Sequence, residues 1–146
     1  MNQALNPAPD KPSDSAPTGS QATAHLLLVD DSPTMRLYLR HMIQKLFPAY
    51  SVTEAEDGKT ALRCLTTARV DLIITDLQMP GMDGQSLVQV LRRNPILRKK
   101  PILVVSAALD QQTRQDLAEL GNEGLACLAK PVSPDSLQQA IRTLLP

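Results

Sequence analysis

Short runs of consecutive aliphatic residues, each closed by a polar side chain, recur along this chain and alternate with stretches of helical period. Leu26-Leu27-Leu28-Val29 ends in Asp30-Asp31, Leu72-Ile73-Ile74-Thr75 ends in Asp76, and Ile102 to Val105 ends in Ser106. A run that is apolar at every position has no solvent-facing side, so it fits a strand buried on both faces, as in a parallel sheet. After the first run, Ser32 is an N-cap candidate and Pro33 suits the first helical position. Leu39, Met42, Ile43 and Leu46 then follow at helical spacing until Pro48 ends the helix. Ser51 to Glu54 reads as a short second strand, and Asp57-Gly58 turns into a helix carrying Ala61, Leu62 and Leu65. Pro80 to Gly84 is a loop by composition. A helix from about Gln85 to Arg93 turns Leu87, Val88 and Leu91 inward, and Asp110 caps another that runs through Leu120 and is closed by Gly121. Leu125 to Ala129 reads as a weak fifth strand, and a last helix spans Ser133 to Leu145.

Five repetitions of strand then helix predict an α/β domain, with a parallel sheet covered by helices on both faces. The right-handed crossover rule leaves few topologies, among them the flavodoxin-like doubly wound (βα)5 sheet. Residues 1–24 stand apart, with Pro7, Pro9, Pro12 and Pro17, several Ser, Thr and Ala, and Leu5 as the one large aliphatic besides Met1. Such a stretch buries too little to offset its ordering entropy, which predicts a disordered tail over 1–24 and a folded domain over 25–146.

Composition removes several function classes. Fifteen basic and fifteen acidic side chains give a formal net charge of zero, against a nucleic-acid footprint. Tyr38, Phe47 and Tyr50 are the only aromatics, so bases would find almost nothing to stack on. Arg92, Arg93, Arg98, Lys99 and Lys100 form the one basic cluster and read as a solvated loop before the fourth strand. No apolar run is long enough to span a bilayer, and the N-terminus lacks a secretory pattern. Cys64 and Cys127 lie far apart without a CxxC pair, as expected of a cytoplasmic protein with neither disulfide framework nor zinc site.

Ligands of such sheets bind beyond the carboxyl ends of the strands, where this sequence places Asp30, Asp31, Asp76, Ser106 and Lys130. Taken singly, each has a plain reading: a helix cap or turn former, a loop hydroxyl satisfied by backbone, a solvated cation. Taken together, three carboxylates on one rim repel one another and call for a cation. An all-oxygen acidic set suits Mg2+, while a hydroxyl and an ammonium beside it could hold a phosphoryl group. That combination fits phosphoryl transfer to a carboxylate nucleophile. The spacing does not say which carboxylate attacks.

Four stretches, Leu28-Val29-Asp30-Asp31-Ser32, Asp76 to Gly84, Val105-Ser106-Ala107 and Ala129-Lys130-Pro131, together with Glu54-Ala55-Glu56-Asp57-Gly58, resemble the signature of response-regulator receiver domains. The resemblance covers about residues 25–146. It implies that Asp76 accepts the phosphoryl group from a sensor histidine kinase or a histidine phosphotransfer protein. It further implies that Asp31, Asp76 and the backbone carbonyl of Gln78 hold Mg2+ directly, with Asp30 acting through water. Ser106 would donate to a phosphoryl oxygen, and Lys130 would pair with the phosphoryl group or, before phosphorylation, with Asp76. Such a protein is a signalling switch rather than an enzyme.

The sequence departs from that pattern on the fifth strand. Where most receivers have Tyr or Phe, three residues before the lysine, this chain has Cys127, and the frequent Phe after Lys-Pro is Val132. Cys127 and Cys64 read as small buried hydrophobes, and Met79 and Met82 as packing residues beside the loop. With the chain stopping after the last helix, the expectation is a stand-alone, chemotaxis-regulator-like receiver that acts through protein contacts. Two alternatives are a receiver-like interaction module indifferent to phosphorylation and an aspartate-nucleophile phosphohydrolase. The second normally needs another Asp two residues after the nucleophile, where this chain has Gln78.

Overall fold

The computed structural model describes residues 23–121 and 123–146. Five strands and five helices alternate: β1 (Ala24–Val29), α1 (Pro33–Leu46), β2 (Tyr50–Ala55), α2 (Gly58–Thr67), β3 (Leu72–Thr75), α3 (Gly84–Arg93), β4 (Ile102–Ser106), α4 (Gln111–Glu119), β5 (Leu125–Ala129) and α5 (Pro134–Leu144). The strands form one parallel sheet in the order β2-β1-β3-β4-β5. This is the doubly wound flavodoxin-like arrangement expected from the alternation. Of the expected tail, residues 1–22 lie outside the described residues, while Ala24 is a buried member of β1.

Strand parity sorts the core into two layers. Leu26, Leu28, Leu72, Ile74, Leu103 and Val105 face α1 and α5, meeting Leu39, Ile43, Leu137 and Ile141. Their neighbours Leu27, Val29, Ile73, Ile102 and Val104 face the opposite way, onto Ala61, Leu87, Val88, Leu91 and Leu117 of α2, α3 and α4. Because both faces are covered, the central strands are apolar except near their ends, where β1 carries His25 and where Thr75 and Ser106 close β3 and β4. β2 and β5 are edge strands, and their mixed burial follows from that place.

All five helices begin on a side-chain cap. Ser32, Asp57, Asp83, Asp110 and Ser133 accept from the N–H groups of Met35, Thr60, Ser86, Thr113 and Ser136 respectively. After α4 the chain reverses at Gly121, whose φ of 122° is open to glycine and strained for other residues.

The basic cluster is less solvated than its composition suggests. Arg92 and Arg93 end α3, and Arg92 points its guanidinium at four backbone oxygens: Arg98 (3.0 Å), Lys100 (2.9 Å), Glu123 (3.2 Å) and Gly124 (3.4 Å). Lys100 Nζ donates to the Val70 carbonyl at 2.5 Å. The Gly124 carbonyl also accepts from Ile102 N–H at 2.7 Å, and the cations give the loop carbonyls beside it charged donors.

Candidate functional site

The rim at the carboxyl ends of the strands follows from register. Val29 of β1 lies opposite Thr75 of β3, so Asp30 and Asp76, one residue further on, emerge side by side. Carboxylate oxygens of Asp30, Asp31 and Asp76 lie within 4.8 Å of one another. Asp30 and Asp76 are buried, at 2% and 6% exposure, whereas Asp31 is exposed.

Lys130, just past β5, reaches back between the two buried aspartates. Its Nζ donates to Asp76 Oδ2 at 3.0 Å and to Asp30 Oδ2 at 3.1 Å. Burial works against the ammonium charge, but the hydrogen bonds to Asp76 and Asp30 outweigh it and hold the lysine pKa above its ordinary 10.5. Three carboxylates against one ammonium leave the rim negative. The donors are all oxygen, and one of them is open to solvent. That set fits a small hard dication such as Mg2+, which keeps several waters and takes few protein ligands.

The remaining oxygens of the buried pair are tied to their own loops. Asp30 Oδ1 accepts from Ser32 N–H at 2.9 Å. Asp76 Oδ1 accepts from Leu77 N–H at 2.6 Å and from Gln78 N–H at 3.3 Å. The loop 77–83 returns so closely that Gly84 N–H donates to the Leu77 carbonyl at 3.0 Å. A Cβ on Gly84 would stand 1.9 Å from the Asp76 carbonyl oxygen and 2.8 Å from Leu77 Cα. Glycine here is a matter of close approach, which composition alone reads only as a loop. Met79 of the same loop is buried, and Met82 packs over Gly58.

Ser106 ends β4 beside β5, and its carbonyl accepts from Lys130 N–H at 3.1 Å. Its hydroxyl accepts from Ala108 N–H at 3.1 Å, so the β4–α4 loop is closed on Ser106 itself. Asp30, Asp31, Asp76 and Lys130 therefore form one cluster, with Ser106 at its edge. The Gln78 side chain is exposed, and its backbone N–H is what reaches Asp76.

Cys127 lies on β5 opposite Val104 and packs half-buried on the α2/α3/α4 side of the sheet. Burial raises its thiol pKa above the ordinary 9.0 despite the nearby Arg114 charge, as suits a packing residue. Cys64 also packs half-buried on that side. Val132 is buried in the opposite layer, against α1 and α5.

One group beside the site escaped the sequence reading. Arg36 and Arg40, one helical turn apart on α1, both bind Glu54 of β2, at 2.8 Å and 2.6 Å. The spacing of the two arginines was visible, but nothing in the sequence tied them to a residue on another element.

Comparison with known proteins agrees with this geometry. The family described as response regulator receiver domain matches residues 26–142. The chemotaxis protein CheY of Pseudomonas aeruginosa is 32% identical over 119 residues, 82% of this chain and 94% of that protein. The cyclic di-GMP phosphodiesterase response regulator RpfG of Xanthomonas campestris pv. campestris is 36% identical over 121 residues, which cover 83% of this chain and only 32% of RpfG. Among solved structures, the Vibrio cholerae chemotaxis protein CheY4 superposes with a TM-score of 0.75 at 32% identity, covering 84% of this chain and 99% of that one.

Proposed function

The chain belongs to the response regulator receiver domain family, and from that premise we propose that it accepts a phosphoryl group on Asp76 and passes the signal on through protein contacts. The observation that carries this reading is the cluster of three carboxylates within 4.8 Å, two of them bridged by Lys130. A buried aspartate with one oxygen held by backbone N–H groups and the other beside an ammonium is pre-oriented for attack on phosphorus. In the proposed step Asp76 Oδ2 forms the new P–O bond. The bond from phosphorus to the nitrogen of a phosphohistidine donor breaks, and its electron pair leaves with the imidazole. Lys130 then exchanges a carboxylate partner for a phosphoryl oxygen, and the Ser106 hydroxyl, released from Ala108, donates to another. Mg2+ held by Asp31, Asp76 and the Gln78 carbonyl, with Asp30 behind a water, would offset the charge on those oxygens.

The phosphodonor is proposed to be a sensor histidine kinase or a histidine phosphotransfer protein in the cytoplasm. The unit matches 94% of CheY but 32% of RpfG, so its relatives include proteins of about this length and much longer ones. Among the described residues no helix is long and apolar enough to cross a membrane. Incubation with acetyl phosphate and Mg2+ should label the wild-type protein and leave Asp76→Asn unlabelled; equal labelling of the variant would overturn the assignment.

Cys127 favours a second reading, in which the fold serves as an interaction module indifferent to phosphorylation. Its small side chain on β5 stands where the resemblance calls for an aromatic. Partner affinity measured with and without beryllofluoride separates the two readings: a change supports the switch, and equal affinity supports the module.

A further inference from the structure

Asp31 is the exposed member of the acidic cluster, and among the described residues no hydrogen bond restrains its carboxylate. Its direction is therefore inherited from the backbone that precedes it. That backbone is pinned at two points. Asp30 N–H donates to the Ala55 carbonyl at 3.1 Å, and the Asp30 carbonyl accepts from Arg36 Nη1 at 2.5 Å. The carbonyl belongs to the peptide unit that joins Asp30 to Asp31, so the guanidinium fixes the plane from which Asp31 hangs.

Arg36 is itself aimed. Its Nε donates to Glu54 Oε1 at 2.8 Å, and the side chain is only 16% exposed. The other Glu54 oxygen is taken by Arg40 Nη1 at 2.6 Å, while Arg40 Nη2 donates to the Val52 carbonyl at 3.0 Å. Arg40 thus gives Glu54 a counter-charge without touching the acidic loop. If neutralising Glu54 were the whole purpose, Arg40 would suffice. Arg36 adds a second contact that needs the planar fork of a guanidinium, because a single ammonium cannot hold a fixed angle between Glu54 and the Asp30 carbonyl.

We propose that Arg36, oriented by Glu54, is a positioning residue for the divalent-cation site: it fixes the Asp30–Asp31 peptide and with it the direction of the Asp31 carboxylate. The proposal rests on the reading of the acidic rim as that site. Charge and geometry push in opposite directions here, which makes the idea decidable. A guanidinium beside the rim repels a dication, so a residue acting through charge alone would, when removed, tighten Mg2+ binding. A residue acting through position would, when removed, weaken it.

The test is titration of Mg2+ alone into the whole chain by calorimetry, with urea unfolding run on each variant without the metal. Arg36→Lys keeps the charge and loses the fork, Arg36→Met loses both, and Glu54→Gln frees Arg36 while keeping the shape. Each should raise the Mg2+ Kd by about 10-fold, the scale on which residues behind a metal ligand act, while Arg40→Gln should leave it within about twofold. Arg36→Lys and Glu54→Gln together should cost no more than either alone. Unchanged or tighter binding in Arg36→Lys and Glu54→Gln would overturn the proposal, and so would an Arg40→Gln effect as large as that of Glu54→Gln. Asp31→Asn is the separate control: if that variant binds Mg2+ as the wild type does, the rim itself has been misread. Should Arg36→Met fail to fold, Arg36→Lys still decides: with the charge kept, a role through charge alone leaves the Mg2+ Kd unchanged, whereas a role through position raises it.

Discussion

Among the described residues, Lys130 is the one cation whose ammonium bonds two nearly buried carboxylates. Removing one partner of a buried pair leaves the other desolvated and unmatched, so Lys130→Met should lower stability by about 3 kcal/mol in metal-free buffer. Urea unfolding of the two proteins at neutral pH measures this, and added Mg2+ should recover part of the loss. The pH dependence has a definite sign. The lysine pKa is raised in the folded protein, so its contribution is complete below the ordinary 10.5 and fades as pH climbs through the folded value. The wild-type advantage should therefore hold across neutral pH and shrink only in strong alkali; an advantage that vanished near neutrality would contradict the pairing. At this scale the sequence was informative about identity and silent about orientation. It gave reason to place Asp30, Asp76, Ser106 and Lys130 at strand ends, but the Ser106 hydroxyl closed on Ala108 is a rotamer choice that no spacing encodes.

Among the elements, those buried on both sides were the easiest to read. β3 matches its expected span, Leu72–Thr75, because every residue in it is buried and aliphatic or Thr. β2 extends one residue beyond expectation at each end, to Tyr50 and Ala55, since an edge strand carries no continuous apolar run to mark its limits. The sequence predicts the start of α3 near Gln85, whereas the helix begins at Gly84, capped by Asp83. The reason is tertiary: Gly84 is where α3 must pass against the Asp76 backbone. Gly84→Ala should cost about 3 kcal/mol, because the clash is with backbone that cannot rotate aside. Circular dichroism melts would register that cost, and slower labelling of Asp76 should accompany it. Among the helices the weakest hold is on α4, which buries only Leu117 where α3 buries Gly84, Leu87, Val88 and Leu91. Few buried contacts mean low local stability, so amide hydrogen exchange should be faster through α4 than through α3. Equal protection in the two helices would show that α4 is held by more than its packing.

In the molecule as a whole, the parallel sheet separates its two ends by charge. The carboxyl ends of the strands gather Asp30, Asp31 and Asp76, which repel one another, around the ammonium of Lys130. Cations at the opposite end do structural service. Arg92 draws four carbonyls from the loops leading into β4 and β5 toward one guanidinium, and burial pushes its pKa down. Charge counting alone could not foresee this division, because a basic cluster in sequence looks the same whether it faces water or binds carbonyls. Arg92→Met keeps the apolar stem and removes every donor. Hydrogen bonds to charged groups are each worth about 1.5–3 kcal/mol, but these four share one partly exposed group, so a total loss of about 2 kcal/mol is expected. Because the clamp lies at the far end of the sheet from the carboxylates, the Mg2+ Kd of Arg92→Met should match that of the wild type. Urea unfolding and calorimetric Mg2+ titration on the same protein sample check both halves. A variant with unchanged stability would show that water replaces the guanidinium without loss, and a shifted Mg2+ Kd would show that the two ends of the sheet are mechanically coupled.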